Sequence, residues 1–244
     1  MSLKSWQQWG KRPEVELTLA DRANESLPEM ESTKQLVNLV SEVYKPGMRI
    51  LDVGCNAGHY LRGLRRLDLS LDYTGVDAYE HYIKQARDIF SDDPHAEFQI
   101  RDILEPLSPD DPFDIVFCCN VIQHLPDFRV AVRNLLETTK RVCFVRTLLA
   151  ENTTVVKVAI TQEFTSDGEP LDFAYQNTWQ SSYFVEFVRG LGWDVELIVD
   201  EFDATALETE YDTVKKELGT RVIDGKQVDG SILFNWVWAK MTPC

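Results

Sequence analysis

Ile50-Leu51-Asp52-Val53-Gly54-Cys55-Asn56-Ala57-Gly58-His59-Tyr60 is the stretch on which the reading of this chain turns. An apolar run holding one carboxylate enters a turn of small residues and leaves it in a helical pattern, which reads as a buried strand, a tight turn and a helix. In an open α/β sheet a ligand binds beyond the carboxyl ends of the strands, where such a turn lies, and small residues let backbone approach it closely. A dinucleotide fingerprint would run G-x-G-x-x-G, whereas Gly54, Asn56 and Gly58 keep a period of two, with Asp52 two positions upstream. Taken alone, the segment is also compatible with a strand-to-helix turn that holds no ligand.

Outward from this turn the pattern alternates. Ser32 and Gln35 stand at capping-box spacing ahead of a helical stripe over 31–44, which stops at Lys45-Pro46-Gly47. Strands are expected at 49–53, 72–76, 97–100, 114–119 and 142–146, with helices at 60–67, 80–90 and 128–138. This rhythm predicts a Rossmann-like, doubly wound α/β fold with a mainly parallel sheet and helices on both faces. Beyond Leu148 regularity drops: a β-branched run at 153–160, a polar stretch to Asn177, a helix at 181–189 and a strand at 195–199. A helix over 205–218, a turn at Asp224-Gly225 and a last strand at 232–239 complete the pattern.

The 244 residues carry 25 Lys+Arg against 40 Asp+Glu, a net charge of −15, and 44% are hydrophobic, enough for a sizeable core rather than a disordered chain. Such a surplus of carboxylates repels phosphate backbones and anionic lipid, so neither a nucleic acid nor a membrane is the expected partner. A neutral or cationic small molecule is. Cys55, Cys118, Cys119, Cys143 and Cys244 form no C-x-x-C pair and no zinc spacing, so no metal or disulfide framework is expected. Adjacent Cys118 and Cys119 read as small buried hydrophobes on opposite faces of a strand. With neither a signal-peptide core nor a bilayer-length apolar run, the expected location is the reducing cytoplasm.

The decisive turn resembles the first motif of the class I S-adenosylmethionine-dependent methyltransferase family, an acidic residue followed by G-x-G-x-G. Asp52, Gly54 and Gly58 match it; Asn56 replaces the middle glycine and is the residue that best tolerates left-handed backbone after glycine. Asp72-Tyr73-Thr74-Gly75-Val76-Asp77 puts a carboxylate at the end of the second strand, 25 positions after Asp52, where it reads either as an acceptor for both ribose hydroxyls, the role the resemblance implies, or as an exposed strand-end Asp. Phe98-Gln99-Ile100-Arg101-Asp102-Ile103 resembles the third motif, and Phe113-Asp114-Ile115-Val116 with Asn120-Val121-Ile122-Gln123-His124-Leu125-Pro126-Asp127 is similar to the fourth-strand motif of small-molecule members. The helical run that ends in Gly192-Trp193 looks like the family's late helix.

The resemblance implies a seven-stranded sheet with an antiparallel last strand, and methyl transfer from S-adenosylmethionine, leaving S-adenosylhomocysteine. It implies cofactor contacts from Asp52, Gly54, Cys55, Asn56 and Gly58 in the turn and from Asp77 and Ala78 at the ribose. Asp102 and Ile103 would meet the adenine, and Asn120 and Val121 the methionine end. It further implies a single domain over 1–244: an arm and helix to 48, a cofactor-binding half at 49–150, and a substrate-side half at 151–244 with insertions near 151–178 and 200–230. The transfer is an in-line displacement, so positioning in a dry pocket carries most of the catalysis. A hydroxyl or protonated amine acceptor needs a base, for which His124 is the first candidate and His59 the second; a carboxylate acceptor needs none. The plainer reading of His124 is a helix-entry residue bonded to backbone near Pro126.

Smaller expectations remain. The connection 151–178 is long enough for a lid or substrate wall, lined by Tyr175, Trp179 and Tyr183. Trp6 and Trp9 could close over the site or pack on the sheet, and Arg62, Arg65 and Arg66 read as a solvated helix face. A cofactor-binding subunit without turnover and a nicotinamide-dependent oxidoreductase are the competing functions, the second disfavoured by the glycine spacing. The acceptor and the oligomeric state are open.

Overall fold

The computed structural model describes residues 13–107, 111–201, 220–229 and 232–244. Helices α1 (Pro13–Ala23) and α2 (Glu31–Ser41) lead into β1 (Arg49–Val53), α3 (His59–Leu64), β2 (Asp72–Asp77), α4 (Glu80–Ile89) and β3 (Ala96–Ile100). Next come β4 (Phe113–Cys119), a 3-10 turn (Ile122–His124), α5 (Arg129–Glu137) and β5 (Thr139–Ala150). The later elements are β6 (Lys157–Ala159), β7 (Phe173–Tyr175), β8 (Trp179–Gln180), α6 (Ser181–Gly190) and β9 (Trp193–Val199). Strands β10 (Thr220–Ile223), β11 (Lys226–Asp229), β12 (Ile232–Leu233) and β13 (Trp236–Pro243) follow.

The main sheet runs β3-β2-β1-β4-β5-β13-β9, with the two residues of β8 added beside the end of β5. Strands β1 to β5 pair in parallel, while β13 runs antiparallel to both its neighbours. This is the expected Rossmann-like sheet of mostly parallel strands with one reversed strand. Strand order reverses between β1 and β4, so their carboxyl ends border the crevice where a ligand of this architecture binds.

The two faces follow from alternation along the strands. Ile50, Tyr73, Ile115, Phe117, Phe144 and Trp238 point to the side covered by α2, α3 and α4. Leu51, Val76, Val116, Val145 and Met241 point to the side covered by α5 and α6. Cys118 and Cys119 divide between these two cores, both buried, as their adjacency on a strand predicts.

Several local expectations are corrected. No capping box forms: Met30 is the N-cap without a side-chain bond, because the Ser32 hydroxyl meets Tyr60 Oη at 3.2 Å. Gln35 is drawn into a tertiary contact with Glu201 and Trp238. Strand β5 is longer than the expected 142–146 because Thr147, Leu148 and Leu149 stay buried. Of the β-branched run 153–160 only Lys157–Ala159 forms a strand, paired with Phe173–Tyr175 in a short antiparallel ladder. Arg62 and Arg65 are only partly exposed and are tied into the fold. Arg62 donates to Ala23 O, and Arg65 forks onto Asp93 at 2.7 and 3.0 Å and donates to Leu71 O. Trp179 belongs to the core against Phe128 rather than to a substrate wall. The expected helix 205–218, and Trp6 and Trp9, lie outside the described residues.

Candidate active site

The turn after β1 is built on alternating left-handed backbone: φ is 79° at Gly54, 49° at Asn56 and 81° at Gly58. The middle position therefore does what its glycine-like identity predicts. Asn56 steadies that conformation by accepting the Ala57 N–H on its own Oδ1 at 2.7 Å, a local bond open to short amides. Asn56→Gly is expected to keep the fold and the turn, whereas Asn56→Val should lower the melting temperature and lose ligand binding, because a β-branched residue resists positive φ. Equal melting temperatures for the two variants would refute this account of the position.

The turn is tied to the next strand. Gly54 and Cys55 donate backbone N–H groups to Val76 O at 2.7 and 3.0 Å. Asp77, at the end of β2, accepts the Asn56 N–H on Oδ2 and the Tyr79 N–H on Oδ1, each at 3.0 Å. Burial raises the Asp77 carboxyl to about 6, against the downward pull of those N–H donors. Ala78 beside it is exposed. Asp52 faces inward, where its Oδ2 accepts the Tyr73 hydroxyl at 2.7 Å. Burial pushes its carboxyl up to about 8, the Tyr73 bond opposing and the Asp77 charge adding. Asp52 thus supports the turn from beneath, its burial favouring the protonated form.

After β3, Asp102 caps its own turn by accepting the Leu104 N–H at 2.9 Å, and the Ile103 carbonyl is held by Asn134 Nδ2 at 2.8 Å. At the end of β4, Asn120 takes left-handed φ of 60° and its N–H stays on Arg146 O at 3.0 Å. The next residue, Val121, packs onto the first turn: a Cβ on Gly54 would lie 2.3 Å from Val121 Cγ2. Only glycine allows that approach. The first and fourth motifs, far apart in sequence, are thereby brought into contact at the crevice.

His124 closes the 3-10 turn. Its Nδ1 lies 2.7 Å from the Tyr175 carbonyl, an acceptor, so the proton sits on Nδ1 and Nε2 keeps the lone pair, 3.2 Å from Gln123 Nε2. The connection 151–178 is clamped here as well, Asn177 N bonding Gln123 O and Asn177 Nδ2 bonding Leu125 O, both at 2.9 Å. The His124 ring is thus held by the Tyr175 carbonyl, where the sequence pointed to backbone near Pro126. His59 lies elsewhere, buried against a cavity of about 210 Å³ shared with Arg22, Glu29, Thr33 and Arg62. Burial and the charge of Arg22 lower its imidazole to about 3, too weak a base to compete with His124 at neutral pH.

Sequence reasoning missed Gln123, Arg146 and Asp200. Arg146 had a signal: it is the one charged residue inside Val142-Cys143-Phe144-Val145-Arg146-Thr147-Leu148-Leu149, a run that reads as buried strand.

Comparison with known proteins agrees with the fold. Residues 51–143 match the family model described as a methyltransferase domain. The chain is 33% identical over 95 residues to a 2-methyl-6-phytyl-1,4-hydroquinone methyltransferase of Synechocystis sp., covering 39% of this chain and 30% of that protein. It is 33% identical over 88 residues to a ubiquinone biosynthesis O-methyltransferase of Bradyrhizobium diazoefficiens, covering 36% of this chain and 34% of the relative. The matched part thus spans about a third of each relative's length. Among solved structures, a glycopeptide N-methyltransferase complexed with S-adenosyl-L-methionine superposes with a TM-score of 0.56 at 12% identity, over 87% of this chain and 94% of that one.

Proposed function

From a chain that carries a methyltransferase domain at residues 51–143 on the Rossmann-like fold of class I S-adenosylmethionine-dependent methyltransferases, we propose an enzyme that methylates an O or N nucleophile of a small molecule. The observation that carries this reading is the Gly54–Asn56–Gly58 turn, tied to the Asp77 carboxylate on one side and packed on Val121 on the other, at the point where strand order reverses. The names of the hydroquinone and ubiquinone-pathway relatives support a small organic acceptor, and the net charge of −15 weighs against a nucleic acid.

The residues suit an S-adenosyl cofactor by their donor chemistry. Asp77 offers remaining lone pairs to ribose hydroxyls beside exposed Ala78, and Asp102 with the Ile103 backbone takes the adenine. Gly54, Cys55, Asn56, Gly58, Asn120 and Val121 flank the methionine portion, over the support of Asp52. When bound, the cofactor supplies a methyl group on a sulfonium, open to in-line displacement. The protein's own work is to align the acceptor, keep water out and remove a proton where the acceptor holds one. His124 does the last at Nε2, its ring fixed by the Tyr175 carbonyl. Five free thiols, four of them buried, suit a reducing cytoplasm, where we place the enzyme.

Purified protein incubated with methyl-labelled S-adenosylmethionine and a whole-cell extract containing both RNA and metabolites should transfer label to a low-mass product. Label entering RNA would overturn the acceptor class. Tight S-adenosylhomocysteine binding with no transfer to any fraction would favour the cofactor-binding subunit without turnover.

A further inference from the structure

The carboxyl ends of β4 and β5 meet the end of β9 at a buried ion pair to which the mechanism above gives no task. Arg146 on β5 and Asp200, just beyond β9, have side chains only 6% and 2% exposed. The guanidinium forks onto the carboxylate, Nε to Oδ1 at 2.7 Å and Nη2 to Oδ2 at 2.8 Å. Its third arm, Nη1, donates to Asn120 Oδ1 at 2.6 Å. The Trp236 ring lies 4.3 Å from the guanidinium carbon, and the Trp238 indole N–H donates to Asp200 Oδ1 at 3.1 Å. Gln35 on α2 joins the set, accepting from Trp238 Nε1 at 3.0 Å and from Glu201 N at 3.2 Å.

Burying two charges costs most of what their attraction returns, so packed apolar residues would serve stability equally well at this place. What apolar residues could not do is hold Asn120. That residue sits in a left-handed conformation, which asparagine tolerates better than any residue but glycine yet does not adopt by default, at the last rung of the β4–β5 ladder. A guanidinium has donors only, so it also fixes the amide: Oδ1 faces Arg146 and the two N–H groups face away. The backbone reversal at Asn120 is in turn what lets Val121 seat against Gly54.

We infer that Arg146 and Asp200 are positioning residues for the proposed methyl transfer, locking Asn120 in its left-handed, amide-oriented state so that Val121 and the Gly54 turn stay in register at the crevice. The inference rests on the function proposed above and is tested so that the two can fail separately.

The double variant Arg146→Met/Asp200→Leu leaves no orphaned charge, and Arg146→Lys keeps the charge while losing the fork. Each is compared with wild type by thermal melting, by calorimetric titration with S-adenosylhomocysteine, and by the NMR signal of the Asn120 side-chain amide, assigned through its loss in Asn120→Ala. Expected for the double variant are a displaced amide signal and about tenfold weaker S-adenosylhomocysteine binding, with a melting temperature near that of wild type. Arg146→Lys should fall between. An amide signal or an affinity unchanged in the double variant overturns the inference, and if that variant does not fold, Arg146→Lys is judged by the same two readings. Failure of wild type to bind S-adenosylhomocysteine would sink the methyl-transfer reading, while the amide signal would still decide whether the pair holds Asn120.

Discussion

Asp77→Ala is expected to weaken S-adenosylhomocysteine binding by about a hundredfold or more, measured by calorimetry near pH 7.5. Two losses combine. A buried carboxylate that accepts ribose hydroxyl bonds is worth about 1.5 to 3 kcal/mol, tenfold or more in dissociation constant. The same carboxylate also holds the Asn56 and Tyr79 N–H groups at 3.0 Å; without it the turn loses its preformed shape, and the cost of ordering it moves onto the binding step. Asp77→Asn keeps one carbonyl acceptor and should lose only about tenfold. The raised acidity constant adds a pH signature. With the free carboxyl titrating near 6, affinity should fall as pH drops through 6, since the protonated form loses its charge and one acceptor; Asp77→Asn should lack that dependence. For stability the sign is opposite. The folded-state value lies above the ordinary 3.8, so this group's contribution is greatest below pH 4 and is lost as pH rises through 6. Unchanged affinity in Asp77→Ala would remove the residue from the site.

His124→Ala is expected to lower turnover by about a hundredfold with an acceptor that must lose a proton, while S-adenosylhomocysteine affinity stays within about twofold, because a positioned base acts on the transition state. The ring geometry sharpens the test. Nδ1 is committed to the Tyr175 carbonyl at 2.7 Å, so only Nε2 can take the proton, and Gln123 Nε2 must give way at 3.2 Å. Gln123→Ala should therefore leave the base in place and alter turnover far less than His124→Ala does. With a carboxylate acceptor both variants should keep full rate. Undiminished transfer of a hydroxyl- or amine-directed methyl group by His124→Ala would leave the imidazole a structural link between the β4 turn and the 151–178 connection.

The sheet was legible because its signals are local and repeated. Strands β1 and β4 are short apolar runs bounded by turn chemistry, and the left-handed demand at 54, 56 and 58 could be read from residue types alone. The position of Asp77 at the end of β2 was legible for the same reason. Contacts that depend on tertiary packing were not. Ser32 and Gln35 had the spacing of a cap, yet Tyr60 and Trp238 compete for their side chains across many residues, and neither partner is visible in a local window. Arg65 looked solvated because Asp93, which neutralises it, lies 28 positions downstream. His124 could be named from a motif, but its tautomer follows from the Tyr175 carbonyl, 51 positions away.

The place of β13 bears on the order in which the molecule can be assembled. It follows β9 in the chain but lies between β9 and β5, pairing with both. A ribosome extruding this sequence delivers β9 before the strand that must separate it from β5, so the growing sheet carries the open edge of β5 until β13 emerges. The parallel half, β1 to β5, can close its β1–β2, β1–β4 and β4–β5 ladders earlier, whereas β9 has no berth until that moment. Arg146 lies on that waiting edge and Asp200 arrives with β9, so the charge of Arg146 stays in water until β13 emerges and is desolvated only when the reversed strand slides into its slot.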